Sequence, residues 1–196
     1  MARELGTQRS HYEELFDRIG APMPLDFPKL LTTLADRFGP AVLGTSEFRG
    51  QHIVRIQRDS NVAVLKFLRD DPLAKFEMLT DVTCVDSLRL PSDMQQDYPE
   101  RFAVVYQLTS LSHNARLRVK ALVPEDPCEI DTVSTLWDCA NWGEREVFDL
   151  FGIVFKGHPD LKRILMPDAY EGHPLRKDYP LKGRGERDNF PKWQPA

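Results

Sequence analysis

Cysteine is scarce in this chain. Cys84, Cys128 and Cys139 are the three among 196 residues, and no two form a Cys-x-x-Cys pair. An odd, widely spaced set does not make a disulfide framework and fits a reducing compartment. An iron–sulfur cluster is normally held by four thiolates, which this chain alone does not supply. Three such thiols read most simply as small packed hydrophobes. Long apolar runs are missing too: no stretch approaches the roughly 18 residues of a membrane span. Met1 to Ser10 is polar, so no secretory signal is expected there. Charge of one sign is not in excess. The formal net charge is −4, which gives no pointer to nucleic-acid binding. Neither Gly-x-Ser-x-Gly nor a P-loop occurs.

What is present suits a packed domain, with 41% apolar residues. His11 to Ile19 reads as a short helix, with Ser10 as N-cap and Gly20 as a stop. Leu30, Leu31, Leu34 and Phe38 recur at helical spacing and end at Gly39-Pro40. Ala41–Thr45 and His52–Ile56 read as strands joined by a turn at Phe48–Gln51. A second helix opens at Asp59, Ser60 or Asn61 and closes near Asp70-Asp71-Pro72. After Val82, Cys84 and Val85 comes a polar loop from Leu88 to Glu100. Arg101–Leu111, dense in β-branched and aromatic residues, predicts a strand. Ala115–Val123 pairs with it as a hairpin, its Leu117, Val119, Ala121 and Val123 alternating against Arg116, Arg118 and Lys120. A helical region is expected from Asp131 or Thr132 to Leu150, interrupted near Gly143 and stopped by Gly152, with a short strand at Ile153–Phe155.

Beyond Phe155 the composition changes. Residues 156–192 carry nine Lys or Arg against six Asp or Glu, about +3, leaving about −7 for the rest. Prolines and glycines recur, and too few apolar residues remain for a separate core. Yet Leu161, Ile164, Leu165, Tyr170, Tyr179 and Phe190 exceed what a loose tail needs. An extended arm wrapping over something is the better physical reading, with a loose surface tail as the alternative.

The densest chemistry lies at Trp142-Gly143-Glu144-Arg145-Glu146-Val147-Phe148-Asp149-Leu150-Phe151-Gly152-Ile153. Downstream follow Gly157-His158-Pro159-Asp160-Leu161, Arg163-Ile164-Leu165 and Gly172-His173-Pro174-Leu175-Arg176-Lys177-Asp178-Tyr179-Pro180. In order and spacing this string resembles the C subunit, also called the 30 kDa subunit, of respiratory NADH:quinone oxidoreductase. The strong match covers about residues 101–182. The resemblance implies an α+β fold, a two-layer α/β domain with a mixed sheet over 1–155, and an extended basic C-terminal arm over 156–196 that wraps partner subunits. The elements read above agree with that order.

The resemblance further implies a non-catalytic structural subunit of the hydrophilic arm, in the quinone-reducing module. It would hold no cofactor and no metal, FMN, iron–sulfur clusters and quinone belonging to partner subunits. Its main contact would be the large D subunit, with the B and I subunits nearby. It would reach the membrane only through the complex, at the cytoplasmic face of a bacterial inner membrane or the matrix side in a mitochondrion.

As interface residues the string offers Trp142, Glu144, Arg145, Glu146, Asp149, Phe151, Gly152, His158, Arg163, His173, Arg176, Asp178 and Tyr179. On a helix Glu146 and Asp149 share a face, as do Glu144 and Phe148. Such a helix could hold buried charge pairs with Arg163 or Arg176 from the returning arm; a solvated charged face over an aromatic stripe is the alternative. Trp142, Phe148 and Phe151 would be apolar anchors. A truncation after residue 155 is expected to leave a soluble domain unable to hold the D subunit.

Rival readings use the same residues. Glu144, Glu146, Asp149, His158 and His173 could serve acid/base catalysis if gathered in a cleft. His158, Asp160, His173 and Asp178 could ligate a metal, although no close-spaced pair of the zinc type is present. The arm's basic and aromatic residues could bind phosphate, but Asp178, Glu186 and Asp188 interrupt them. Equivalent subunits of membrane-bound nickel–iron hydrogenases and of ferredoxin- or F420-linked quinone oxidoreductases share the Glu-Arg-Glu region. The full Gly-His-Pro-Leu-Arg-Lys-Asp-Tyr-Pro closing favours the NADH:quinone complex.

Overall fold

Asp26, Pro28 and Gly39 set the ends of the first described helix, α1 (Phe27–Phe38). Asp26 Oδ1 accepts from the Lys29 amide at 3.0 Å, and Pro28 falls in the first turn, where no backbone donor is needed. Leu30 and Leu34 are fully buried. The computed structural model describes residues 24–185, and the helix expected over His11–Ile19 lies outside them. The other elements are β1 (Val42–Phe48), β2 (Gln51–Gln57), α2 (Asn61–Asp70), β3 (Met78–Asp86), the one-turn α3 (Ser92–Gln95), β4 (Phe102–Ser110), β5 (Ala115–Val123), β6 (Glu129–Asp131), α4 (Ala140–Phe151) and β7 (Val154–Lys156).

Five strands form one mixed sheet in the order β1-β2-β5-β4-β3, with β2 and β5 parallel and the other neighbours antiparallel. The register makes one face apolar. Val54 lies beside Val119, Val119 beside Tyr106, and Tyr106 beside Val82. This row, with Ile56, Ala121, Val104 and Cys84 in the next, packs against Leu30 and Leu34 of α1, Val64, Leu65 and Leu68 of α2, and Ala140, Val147 and Phe151 of α4. The helices therefore make one layer and the sheet the other, the two-layer mixed-sheet fold expected. The reverse face carries Arg55, Lys120, Arg118 and Gln107, covered in part by the 87–100 loop, where the Lys120 ammonium lies 4.5 Å from the Tyr98 ring.

Val82, Cys84 and Val85, to which the sequence reading assigned no element, lie in the nine-residue β3. Its period of two was masked because a bulge between Leu79 and Asp81 shifts the register. The helical region does not begin at Asp131. Glu129–Asp131 is a strand parallel to Val154–Lys156, with Ile130 buried and Lys156 Nζ 3.5 and 3.4 Å from Glu129 and Asp131. Residues 132–139 form turns, and the helix starts at Ala140. Gly143 does not interrupt it. A Cβ there would stand 2.9 Å from Val82 Cβ, so this glycine lets the helix lie close on β3.

Candidate functional site

The end of α4 organises the chemistry. A helix leaves its last four carbonyls without partners, and here the arm supplies donors for three of them. Phe148 O accepts from the Gly152 amide at 2.8 Å. Asp149 O accepts from Arg163 Nη1 at 3.1 Å and His173 Nδ1 at 3.0 Å. Leu150 O accepts from the Leu175 amide at 3.1 Å, and Phe151 O from Arg176 Nε at 2.6 Å. Two of the capping groups are guanidinium cations, the sign a helix C-terminus favours. A carbonyl only accepts, so His173 carries its proton on Nδ1, and burial lowers the pKa of the ring.

Asp149 is fully buried. Its Oδ2 accepts from the amides of Ile164, Leu165 and Met166 at 3.0, 2.7 and 2.9 Å, and its Oδ1 from Arg163 Nη1 at 2.7 Å. Burial pushes this carboxyl up, but the three amides and the guanidinium outweigh it and hold the pKa below the usual value. Arg163 also reaches Gly172 O at 3.1 Å. One carboxylate thus folds a turn of the arm around itself. Gly152 lets the arm come close: it has φ +75°, and a Cβ there would lie 2.5 Å from His173 Nε2 and 3.0 Å from Arg176 Nη2.

A second clamp lies on the sheet side. Asp86, its side chain fully buried, faces Arg101, with Oδ2 3.1 Å from Arg101 Nη2, and accepts the Lys177 and Leu88 amides at 2.8 and 3.0 Å. Arg101 also pairs with Glu125 and, at 2.7 Å, with Asp178. The Asp178 carboxyl is held low chiefly by that guanidinium. Tyr179 and Tyr170 bond to each other through their hydroxyls.

The third cluster is interior. Glu144 is fully buried and accepts from the Thr132 hydroxyl and, at 2.7 Å, from the Val133 amide. Burial pushes its carboxyl up to about 7 despite those two donors. His158 Nε2 lies 4.0 Å from Glu144 but bonds Asn141 O at 3.1 Å. Its Nδ1 accepts from the Asp160 amide at 3.1 Å, the pattern of a neutral imidazole rather than an ion-pair partner.

Of the expected site residues, Asp149, Phe151, Gly152, Arg163, His173 and Arg176 come together at the helix end. Asp178 and Tyr179 belong to the neighbouring sheet-side clamp, and Glu144 and His158 to the interior cluster. The buried charge pair with Arg163 forms, whereas Arg176 caps a carbonyl. Glu146 and Asp149 differ in environment: Glu146 is exposed and Asp149 buried. Phe151 is 7% exposed and serves the chain's own core. Trp142 is 63% exposed, with the Arg145 guanidinium 4.8 Å from its ring and Arg145 Nε on Lys162 O at 3.1 Å. The four residues of the metal hypothesis do not gather, and the five of the acid/base hypothesis do not line a common cleft. Asp86, Arg101, Thr132 and Cys128 were missed, the last 3.8 Å from Arg176 Nη2. No local pattern marks them, because their partners lie far along the chain.

Fold and site define a two-layer α+β domain whose C-terminal arm is clamped back onto its own helix end and sheet. The chain belongs to the family of the 30 kDa subunit of respiratory-chain NADH dehydrogenase, whose model matches residues 54–185. The C subunit of NADH-quinone oxidoreductase from Geobacter metallireducens is 50% identical over 152 residues, 78% of this chain and 88% of that one. The C subunit from Roseiflexus castenholzii is 46% identical over 160 residues, 81% and 87% of the two chains. A solved trypsin-resistant fragment of Nqo5 superposes with a TM-score of 0.58 at 35% identity, covering 68% of this chain and 99% of the fragment. A chain of an archaeal membrane-bound sulfane sulfur reductase shares the fold, with a TM-score of 0.64 at 19% identity over 86% of this chain and 95% of that one.

Proposed function

We propose that this chain is a non-catalytic scaffold of the hydrophilic arm of proton-translocating NADH:quinone oxidoreductase, in its quinone-reducing module. Electrons pass from NADH through FMN and iron–sulfur clusters to quinone in partner subunits, and this polypeptide binds none of those groups. It packs mainly on the D subunit, with the B and I subunits nearby, at the cytoplasmic face of the inner membrane or its mitochondrial equivalent. It reaches the bilayer through the assembly; among the described residues no helix is long and apolar enough to cross one.

One observation carries the reading: the buried polar groups of the site are used on the chain itself. Asp149, Arg163, His173 and Arg176 close a helix end, and Asp86 with Arg101 anchors the arm. A general acid or base must reach a substrate proton, and these groups are already spent on backbone and on one another. What faces outward is Trp142 with its stacked Arg145, and Glu146, residue types that anchor interfaces. The identities to C-subunit relatives favour the NADH:quinone complex over the equivalent hydrogenase subunit.

The test is a tagged chain expressed in its host and purified from detergent-solubilised membranes. The other arm subunits and NADH:quinone activity are expected with it, and the chain alone should show no turnover. In R145A and E146A variants the amount of assembled complex should fall more than the turnover per complex. Normal assembly with lost turnover would contradict a scaffold role.

A further inference from the structure

We infer that the outer side of the arm is a docking groove for an acidic, apolar-anchored segment of a partner polypeptide. This deepens the scaffold reading above and rests on it. The groove encloses about 670 Å³ between the arm and the loop that follows β3, within the range of sites that enclose a ligand rather than a flat contact. Its wall is apolar, with Met166, Leu175 and Leu181 beside the paired Tyr170 and Tyr179. Leu175 is 45% exposed and Leu181 fully so, and both lie on this one cleft.

The rim is cationic. Arg89 comes from the loop, Lys177 and Lys182 from the arm, and all three are exposed. Among the described residues none of these three side chains has a hydrogen bond or ion pair, whereas other cations of the chain do. Lys66 meets Asp70 at 2.7 Å, Lys162 meets Asp160 at 2.7 Å, and Arg163 meets Asp149 at 2.7 Å. The position of Lys177 is fixed, because its amide is held on the buried Asp86 at 2.8 Å. What sets these three cations apart is that they converge on one cleft. Beside a low-dielectric wall they favour an anion more strongly than on an open surface. A small anion would leave Leu175 and Leu181 in water. A peptide with Asp or Glu flanking a leucine or aromatic residue covers both features, so charge and shape point to that occupant.

Zero-length carbodiimide cross-linking of the complex, purified through the wild-type tagged chain, tests this directly, because it joins lysine amines only to carboxylates in contact. Lys177 or Lys182 should be joined to Asp or Glu of another subunit. In parallel, without cross-linker, the charge-reversed variant R89E/K177E/K182E should co-purify on the order of tenfold less of the partner so identified, and K177R/K182R should co-purify it fully. The inference is overturned if both lysines cross-link to no other subunit, or only to carboxylates of this chain such as Glu186 and Asp188. It is also overturned if partner recovery is unchanged in the reversed variant, or if the loss is instead of binding to vesicles containing phosphatidylglycerol. Should the reversed variant fail to fold by circular dichroism, the wild-type cross-links still decide. Failure of the wild-type chain to co-purify with any arm subunit would instead remove the scaffold reading itself.

Discussion

Replacing Glu144 by Gln should remove a pH dependence of stability that the wild-type chain carries between about pH 4.5 and 7. The carboxyl is fully buried, and burial raises its pKa from 4.5 to about 7. The folded state therefore holds this proton more tightly than the unfolded state does. Its contribution is complete below the unfolded value and is lost as pH rises through the folded one. The difference between 4.5 and about 7, at about 1.4 kcal/mol for each tenfold change in proton affinity, is about 3 kcal/mol. The amide introduced by E144Q would imitate the protonated acid, its Oε1 accepting from the Val133 amide and its Nε2 facing Thr132 Oγ1. At pH 8 the variant should be more stable than the wild type by up to about 3 kcal/mol, and at pH 5 the two should agree within about 1. His173 works in the opposite direction. Its lowered pKa removes stability as pH falls below the imidazole range, but equally in both proteins, so the difference between them isolates Glu144. Urea unfolding followed by tryptophan fluorescence from pH 5 to 8 measures it. An E144Q variant with the wild-type pH slope, or one less stable than the wild type at pH 8, would refute the assignment.

Two further outcomes follow from the helix-end clamp. Asp149→Ala strands the Arg163 guanidinium and three amides, and should cost about 3–5 kcal/mol, with faster trypsin cleavage at Lys162 and Arg163; an unchanged digestion pattern would mean that other contacts hold the arm. Gly152→Ala and Gly50→Ala both place a side chain at a φ of +75°, costing about 1–2 kcal/mol, but only residue 152 also drives a Cβ to 2.5 Å from His173 while Gly50 has open space; equal losses of melting temperature at the two sites would show that the close approach carries no weight.

The clamp also changes what truncation does. Removing everything after residue 155 takes away Arg163, His173 and Arg176. It leaves the Asp149 carboxylate buried without its donors and three helix carbonyls, Asp149 O, Leu150 O and Phe151 O, without theirs. The arm satisfies buried polar groups of the domain, so the truncated chain should unfold at a lower temperature than the full chain, which thermal melts of the two measure.

Much of the fold is local and was legible for that reason. The end of α1 at Gly39, the alternation along β5 and the stop at Gly152 each follow from residues a few positions apart. The family, too, could be read from a linear string, because the irregular order of charged, aromatic and proline residues from Trp142 to Pro180 is itself the information. What the sequence left open was which of those charges turn inward. Glu146 and Asp149 look alike on a helical wheel, yet one is exposed and the other sits at the centre of the clamp. The turns at 132–139 replaced an expected helix because the Glu144 carboxylate takes the Val133 amide from eleven residues downstream. Asp86 and Arg101 gained their roles from arm residues 91 and 77 positions further along. Periodicity and capping are short-range and written in composition. The pairing of a buried charge with a distant donor is decided only when the chain closes on itself, because the low dielectric that makes the pairing obligatory does not exist until the core has formed.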